Sequence, residues 1–171
     1  MQDAIDRPLS KEALTERFRA LCEDKRFANL PGKIEIDAWG RLIVSPASNR
    51  HGLIQARLSK RLAVLGGESP VKVAVLARAG VLVADVAWVS PAFLQAHGME
   101  SPYTAAPELC IEVASPSNSP RELTDKVAAY LGAGAVEVWL LHPHDKRVEY
   151  FGNAGLLEDT AYPADLTGVM D

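Results

Sequence analysis

The chain is poor in cysteine, has no long apolar run and carries no surplus of positive charge. Cys22 and Cys110 are the only cysteines, too few for a disulfide framework, and Cys110 lies inside an apolar run as a small core residue. The N-terminal stretch MQDAIDRPLSKEALTERF is charged and lacks the apolar centre of a secretory signal. No apolar run approaches the length of a membrane span. We therefore expect a cytoplasmic protein with no membrane partner. The formal net charge of -4 excludes a surface that grips nucleic acid all over, but it leaves room for a local basic groove. There is no GxGxxG or P-loop to support a cofactor-using small-molecule enzyme, and no repeat or low-complexity tract. Ser115, Ser117 and Ser119 lack His and Asp partners in order, so serine nucleophile chemistry is not indicated.

What is present suffices for one folded domain. The 171 residues are 48% hydrophobic and 23% charged. We divide them into an N-terminal helical segment (1–30), a core domain (31–159) and a weakly patterned, partly disordered tail (160–171). Helical spacing over 10–29 starts at Ser10 as a plausible cap and stops at Pro31-Gly32. Period-two alternation in Lys33 to Asp37, a turn at Trp39-Gly40 and the run Arg41 to Val44 predict a hairpin. An amphipathic helix follows over 50–65, with Ile54, Leu58, Leu62 and Leu65 on one face. Strands are expected over 71–76 and 80–89, a short helix over 91–97, a strand over 108–114, a helix over 120–133, and strands over 136–141 and 147–151. Such alternation predicts an α/β fold with a mixed β-sheet flanked by helices.

Two apolar strands each bury one carboxylate. Asp85 stands alone in GVLVADVAWV, and Glu112 in LCIEVA. Such charges are costly unless paired or shared with a metal. Carboxylates on neighbouring strands lie close enough to share one cation, and Mg²⁺ (or Mn²⁺) suits one or two carboxylates plus water. Read as an uncompensated charge, Asp85 should be removable without destabilising its strand. Lys126 falls on the flank of the apolar face formed by Leu123, Val127, Tyr130 and Leu131. Its stem can follow that face while the ammonium reaches a carboxylate; alternatively it pairs on the surface with Glu122 or Asp125. His51 either meets a phosphate or caps its helix. Arg50, Arg57 and Arg61 form a stripe that either tracks a DNA backbone or is a solvated helix face.

The order of these residues resembles the PD-(D/E)XK nuclease superfamily. More narrowly, residues 31–151 look like the Uma-type restriction-endonuclease family. The resemblance is carried by Gly32-Lys33-Ile34-Glu35-Ile36, by Ser45-Pro46 with His51, by Ala84-Asp85-Val86-Ala87-Trp88-Val89, by Pro107 to Ser117, and by Lys126, Tyr130 and Val138 to Pro143. It implies a restriction-endonuclease-like core and metal-dependent hydrolysis of DNA phosphodiester bonds. In that reading Asp85 and Glu112 hold Mg²⁺ with the backbone carbonyl of Val113, and Glu35 is an additional acid. Arg50, Arg57 and His51 are the candidate substrate contacts, and cutting two strands commonly uses two copies, hence a homodimer. Two positions depart from the superfamily pattern. Ala84 replaces the usual Pro, and Ala114 stands where the motif lysine belongs, so Lys126 would take over that lysine's role of orienting or deprotonating the attacking water. The alternative is an inactive nuclease-fold domain acting as a nucleic-acid-associated interaction module.

Overall fold

The structure, a computed structural model, describes residues 7–27, 30 and 32–171. Its element order is α1 (Lys11–Glu23), β1 (Lys33–Asp37), β2 (Leu42–Ser45), α2 (Asn49–Leu62), β3 (Val71–Ala77), β4 (Gly80–Trp88), α3 (Pro91–His97), β5 (Leu109–Val113), α4 (Pro120–Gly132), β6 (Glu137–His142), β7 (Arg147–Gly152) and β8 (Gly155–Leu157). The last strand was not expected from the sequence. Helix α1 ends at Glu23, short of the expected 29; the stop expected at Pro31 lies outside the described residues, as do residues 28 and 29. Each of the four α-helices starts on a serine whose hydroxyl accepts an N–H of the first turn: Ser10, Ser48, Ser90 and Ser119.

All eight strands join one mixed sheet in the order β2-β1-β4-β5-β6-β7-β8, with β3 also on β4. Among the described residues only the strands β5 and β6 pair parallel, and α4 is the crossover between them. Helix α4 packs Leu123, Val127 and Tyr130 against Val75, Cys110, Val138 and Leu140. On the opposite face α2 packs Ile54, Leu58 and Leu62 against Val86, Ile111, Val113 and Trp139. Helix α1 adds Leu14 and Phe18 over Ile36, Val81 and Val83.

The pairing of β4 creates the feature that matters for function. One edge of β4 is covered by β3 from Gly80 to Val86. The other is divided: β1 pairs only with Val81 and Gly80, and β5 only with Val86, Ala87 and Trp88. The stretch Leu82 to Asp85 therefore faces a gap where β1 and β5 diverge. Gly80, at φ 127, permits the close approach of β1, since a Cβ there would stand 2.0 Å from the Ile36 carbonyl oxygen. Side-chain alternation also breaks beside the gap. Leu82 and Ala84 belong to the α4 side, yet Val86 belongs to the α2 side. Opposite Asp85, Lys72 adopts φ 55, a left-handed conformation unusual for a side chain of this kind.

The tail departs from the expected disorder. It lies along α2, with Val169 and Met170 buried beside Ile54 and Leu58. Buried Glu137 anchors its start by accepting from Thr160 Oγ1 (2.6 Å) and the Ala161 N–H (2.7 Å).

Candidate active site

Backbone groups orphaned in the gap need partners, because an unpaired buried N–H costs about 1–3 kcal/mol. Here carboxylates supply them. Glu35 Oε1 accepts the Val83 N–H at 2.7 Å, and Asp85 Oδ2 accepts the Val113 N–H at 2.8 Å. Both carboxylates are 2% exposed. The period-two alternation of β1 puts Lys33 on the same side as Glu35, and β5 brings Glu112 in from the other flank of the gap.

Two ammonium groups hold the three acids together. Lys33 Nζ lies 3.0 Å from Glu112 Oε2, 3.2 Å from Asp85 Oδ1 and 3.9 Å from Glu35 Oε1. Lys126 Nζ donates to both oxygens of Glu35 at 3.0 Å and stands 3.5 Å from Glu112 Oε1. Lys126 is buried, so the structure resolves its two sequence readings in favour of the carboxylates over Glu122 or Asp125. Tyr130, one turn along α4, donates its hydroxyl to Glu112 Oε1 at 2.7 Å. From α2, Gln55 donates to Asp85 Oδ1 at 3.2 Å, and His51 Nε2 lies 3.1 Å from Asp85 Oδ2. The cap of α2 is Ser48, whose hydroxyl accepts the His51 N–H at 3.1 Å, so His51 is not itself the cap, and its ring meets a carboxylate.

These contacts split the acids electrostatically. Burial would raise the Asp85 carboxyl, but the His51 bond, the Lys33 charge and the Val113 N–H bring it down to about 2. Burial pushes Glu112 upward, Lys33 only partly offsets this, and the charge of Asp85 adds to the rise. Burial alone would lower the Lys33 ammonium; Glu112, Asp85 and Glu35 outweigh it and leave its pKa above the ordinary lysine value. Burial and the neighbouring Glu112 raise the Tyr130 phenol well above its usual range.

The cluster forms one wall of a cleft of about 280 Å³ lined by Ser45, His51, Lys72, Asp85, Ser117 and Lys126, among others. His51 also lines a larger neighbouring cavity of about 630 Å³, floored by Ile54, Leu123, Leu140 and Phe151. The donor set fits a hard divalent cation. Asp85 and Glu112 already share one cationic group, and Mg²⁺ needs only one or two protein carboxylates with water. Among the described residues no group of three or more His, Cys, Asp and Glu side chains forms a cage, which such a water-rich site does not require. Val113 spends its N–H on Asp85, and a strand residue's carbonyl points to the same edge as its N–H, toward the gap.

The arginine stripe lies elsewhere. Arg50 donates to the carbonyls of Pro143 (3.0 Å) and Met170 (3.4 Å), and Arg57 to that of Asp171 (2.6 Å). Arg61 donates to the Thr167 carbonyl at 3.0 Å and pairs with Asp165 at 3.3 Å. These guanidiniums hold the tail against α2, which neither sequence reading of the stripe anticipates. Lys33, Gln55 and Tyr130 were not among the expected site residues. The signal was nevertheless available: Lys33 is two before Glu35 on a strand, Gln55 four after His51 on a helix, and Tyr130 four after Lys126.

The fold has a solved counterpart. The crystal structure described as a putative nuclease belonging to DUF820, from Anabaena variabilis ATCC 29413, superposes with a TM-score of 0.59 at 18% sequence identity, covering 74% of this chain and 76% of that chain. No curated protein matches the sequence. The family model for Uma2, described as "Putative restriction endonuclease", matches residues 15–167. The expected restriction-endonuclease-like α/β core is thus shown, and over nearly its whole length the chain belongs to the Uma2 family.

Proposed function

We propose that the protein is a divalent-metal-dependent endonuclease that hydrolyses DNA phosphodiester bonds at the Glu35–Asp85–Glu112–Lys126 cluster. The observation that carries this reading is the meeting of Asp85 and Glu112 around one cationic position, with Lys126 at 3.5 Å from Glu112, on the wall of an open cleft. Family membership supports a nucleic-acid substrate. Asp85 and Glu112, with the Val113 carbonyl, would hold Mg²⁺ or Mn²⁺, which supplies charge to a phosphoryl oxygen and acidifies water.

The chain's own groups divide the remaining work. Asp85, held down to about 2, is the permanent anion of the pair. Glu112, which burial and the Asp85 charge destabilise as an anion in the metal-free protein, is the carboxylate that gains most from a cation beside it. Tyr130 fixes Glu112 through Oε1 and leaves Oε2 facing the gap. Lys126, anchored on Glu35, places positive charge where a phosphorane would accumulate negative charge, and Glu35 sets its position. His51, on the cleft wall and bonded to Asp85, connects the cluster to the substrate side. Exposed Lys72, also on that wall, is a further cation that could meet a DNA phosphate.

Nicking of supercoiled plasmid in Mg²⁺ or Mn²⁺ by wild type, Asp85→Asn and Lys126→Met tests the proposal. We expect Asp85→Asn to abolish nicking and Lys126→Met to lower it by roughly 10²–10³-fold. Folded wild type that leaves varied DNA substrates intact would return the chain to the reading as an interaction module.

A further inference from the structure

We propose that Lys33 is a built-in occupant of the cation position between Asp85 and Glu112, displaced when a divalent metal enters, and that it thereby limits how tightly the free protein holds that metal. This rests on the reading that Asp85 and Glu112 bind the metal.

The two lysines of the cluster do different things. Lys126 is anchored on Glu35, through both oxygens. Lys33 instead bridges Asp85 and Glu112, at 3.2 and 3.0 Å, which is the bridging role of a shared cation. An ammonium and a metal ion cannot both bridge the same two oxygens. Charge counting leads to the same alternative. Three buried carboxylates face two ammoniums, leaving one formal negative charge, with His51 set aside. A divalent ion added beside both lysines overshoots to one positive charge; a divalent ion in place of Lys33 gives neutrality.

Lys33 also has somewhere to go. It is the first residue of β1, it lines the cleft of about 280 Å³, and its stem is flexible. Swung outward, its ammonium stands on the wall along which a phosphate backbone would pass. Metal entry would then convert Lys33 from an internal counter-ion into a substrate contact, so metal and polyanion would favour each other's binding.

The test is calorimetric titration of the full chain with Mn²⁺, comparing wild type, Lys33→Met, Lys33→Gln and Asp85→Asn. The proposal expects both Lys33 variants to bind Mn²⁺ about tenfold or more tightly than wild type, and Asp85→Asn to bind none. Thermal melting with rising Mg²⁺ gives a second readout, in which the Lys33 variants gain much more melting temperature than wild type. Should the variants prove unfolded without metal, recovery of the fold on adding Mn²⁺ supports displacement, and failure to recover overturns it. Wild-type Mn²⁺ binding that depends on Asp85 but is as tight as, or tighter than, that of both Lys33 variants refutes the role of Lys33 and leaves the metal site standing. Absence of Mn²⁺ binding in all four proteins overturns both.

Discussion

Replacing Lys126 by alanine removes an ammonium that donates to both oxygens of Glu35 at 3.0 Å and stands 3.5 Å from Glu112. Glu35 is 2% exposed, so water cannot take over. It would keep only the Val83 N–H and the more distant Lys33, 3.9 Å away. Breaking a buried pair from one side costs about 3–5 kcal/mol. The two groups that remain place Lys126→Ala at the low end, about 3 kcal/mol. For a chain of this size that corresponds to a fall in melting temperature of roughly 6–12 °C. The double variant Lys126→Met with Glu35→Gln should recover most of the loss. Met retains the apolar stem, and the glutamine carbonyl still accepts from Val83. Urea denaturation of wild type, both singles and the double, without divalent metal, gives the coupling energy directly. We expect at least about 2 kcal/mol of coupling. A loss below about 1 kcal/mol for Lys126→Ala, the range of a surface pair, or strictly additive singles, would refute the buried-pair reasoning.

Asp85→Ala should cost about 3 kcal/mol, because it leaves the Val113 N–H unpaired and takes from Lys33 one of its two close carboxylates; a urea midpoint equal to wild type would contradict this. Tyr130→Phe should cost about 1.5–3 kcal/mol, the range for a hydrogen bond to a charged group, with the same assay as the check. Acid titration of stability should show Asp85 directly. Its carboxyl is held at about 2 in the fold against about 3.9 unfolded, so the unfolded chain binds more protons between those values and about 2.5 kcal/mol is lost as pH falls through them. Glu112, raised in the fold, acts in the opposite sense above that window, its contribution growing as pH falls toward its unfolded value; Asp85→Asn should flatten the lower limb of the curve and, by removing a charge that raises Glu112, reduce the upper one. Val169→Ala should lower stability by about 1–2 kcal/mol if the tail belongs to the core, whereas a disordered tail would give no change in denaturation midpoint.

Much of this architecture could be read from the chain because its signals are periodic. The α2 face of Ile54, Leu58 and Leu62, the serine caps and the hairpin of β6 and β7 all follow from local spacing. Asp85 and Glu112 were legible as lone charges in apolar strands, and Lys126 as a residue on the flank of a buried face. The pairing between them was not legible. Nothing in β1 says that Lys33 reaches across Glu35 to two other strands, because that contact depends on how β1 and β5 divide one edge of β4. For the same reason Asp85 read as uncompensated, when it has Lys33, Gln55, His51 and the Val113 N–H as partners. The arginine stripe was correctly placed on α2, but its partners are mostly backbone carbonyls, of the tail and of Pro143, which carry no side-chain signature.

The interrupted edge of β4 means that a hydrogen-bond acceptor is demanded at two side-chain positions by the backbone itself. Glu35 and Asp85 are acceptors that finish the hydrogen bonding of Val83 and Val113, whatever else they bind. The same coupling turns the Val83 and Val113 amides into built-in sensors: hydrogen exchange at these two sites should respond when a ligand draws their carboxylates away.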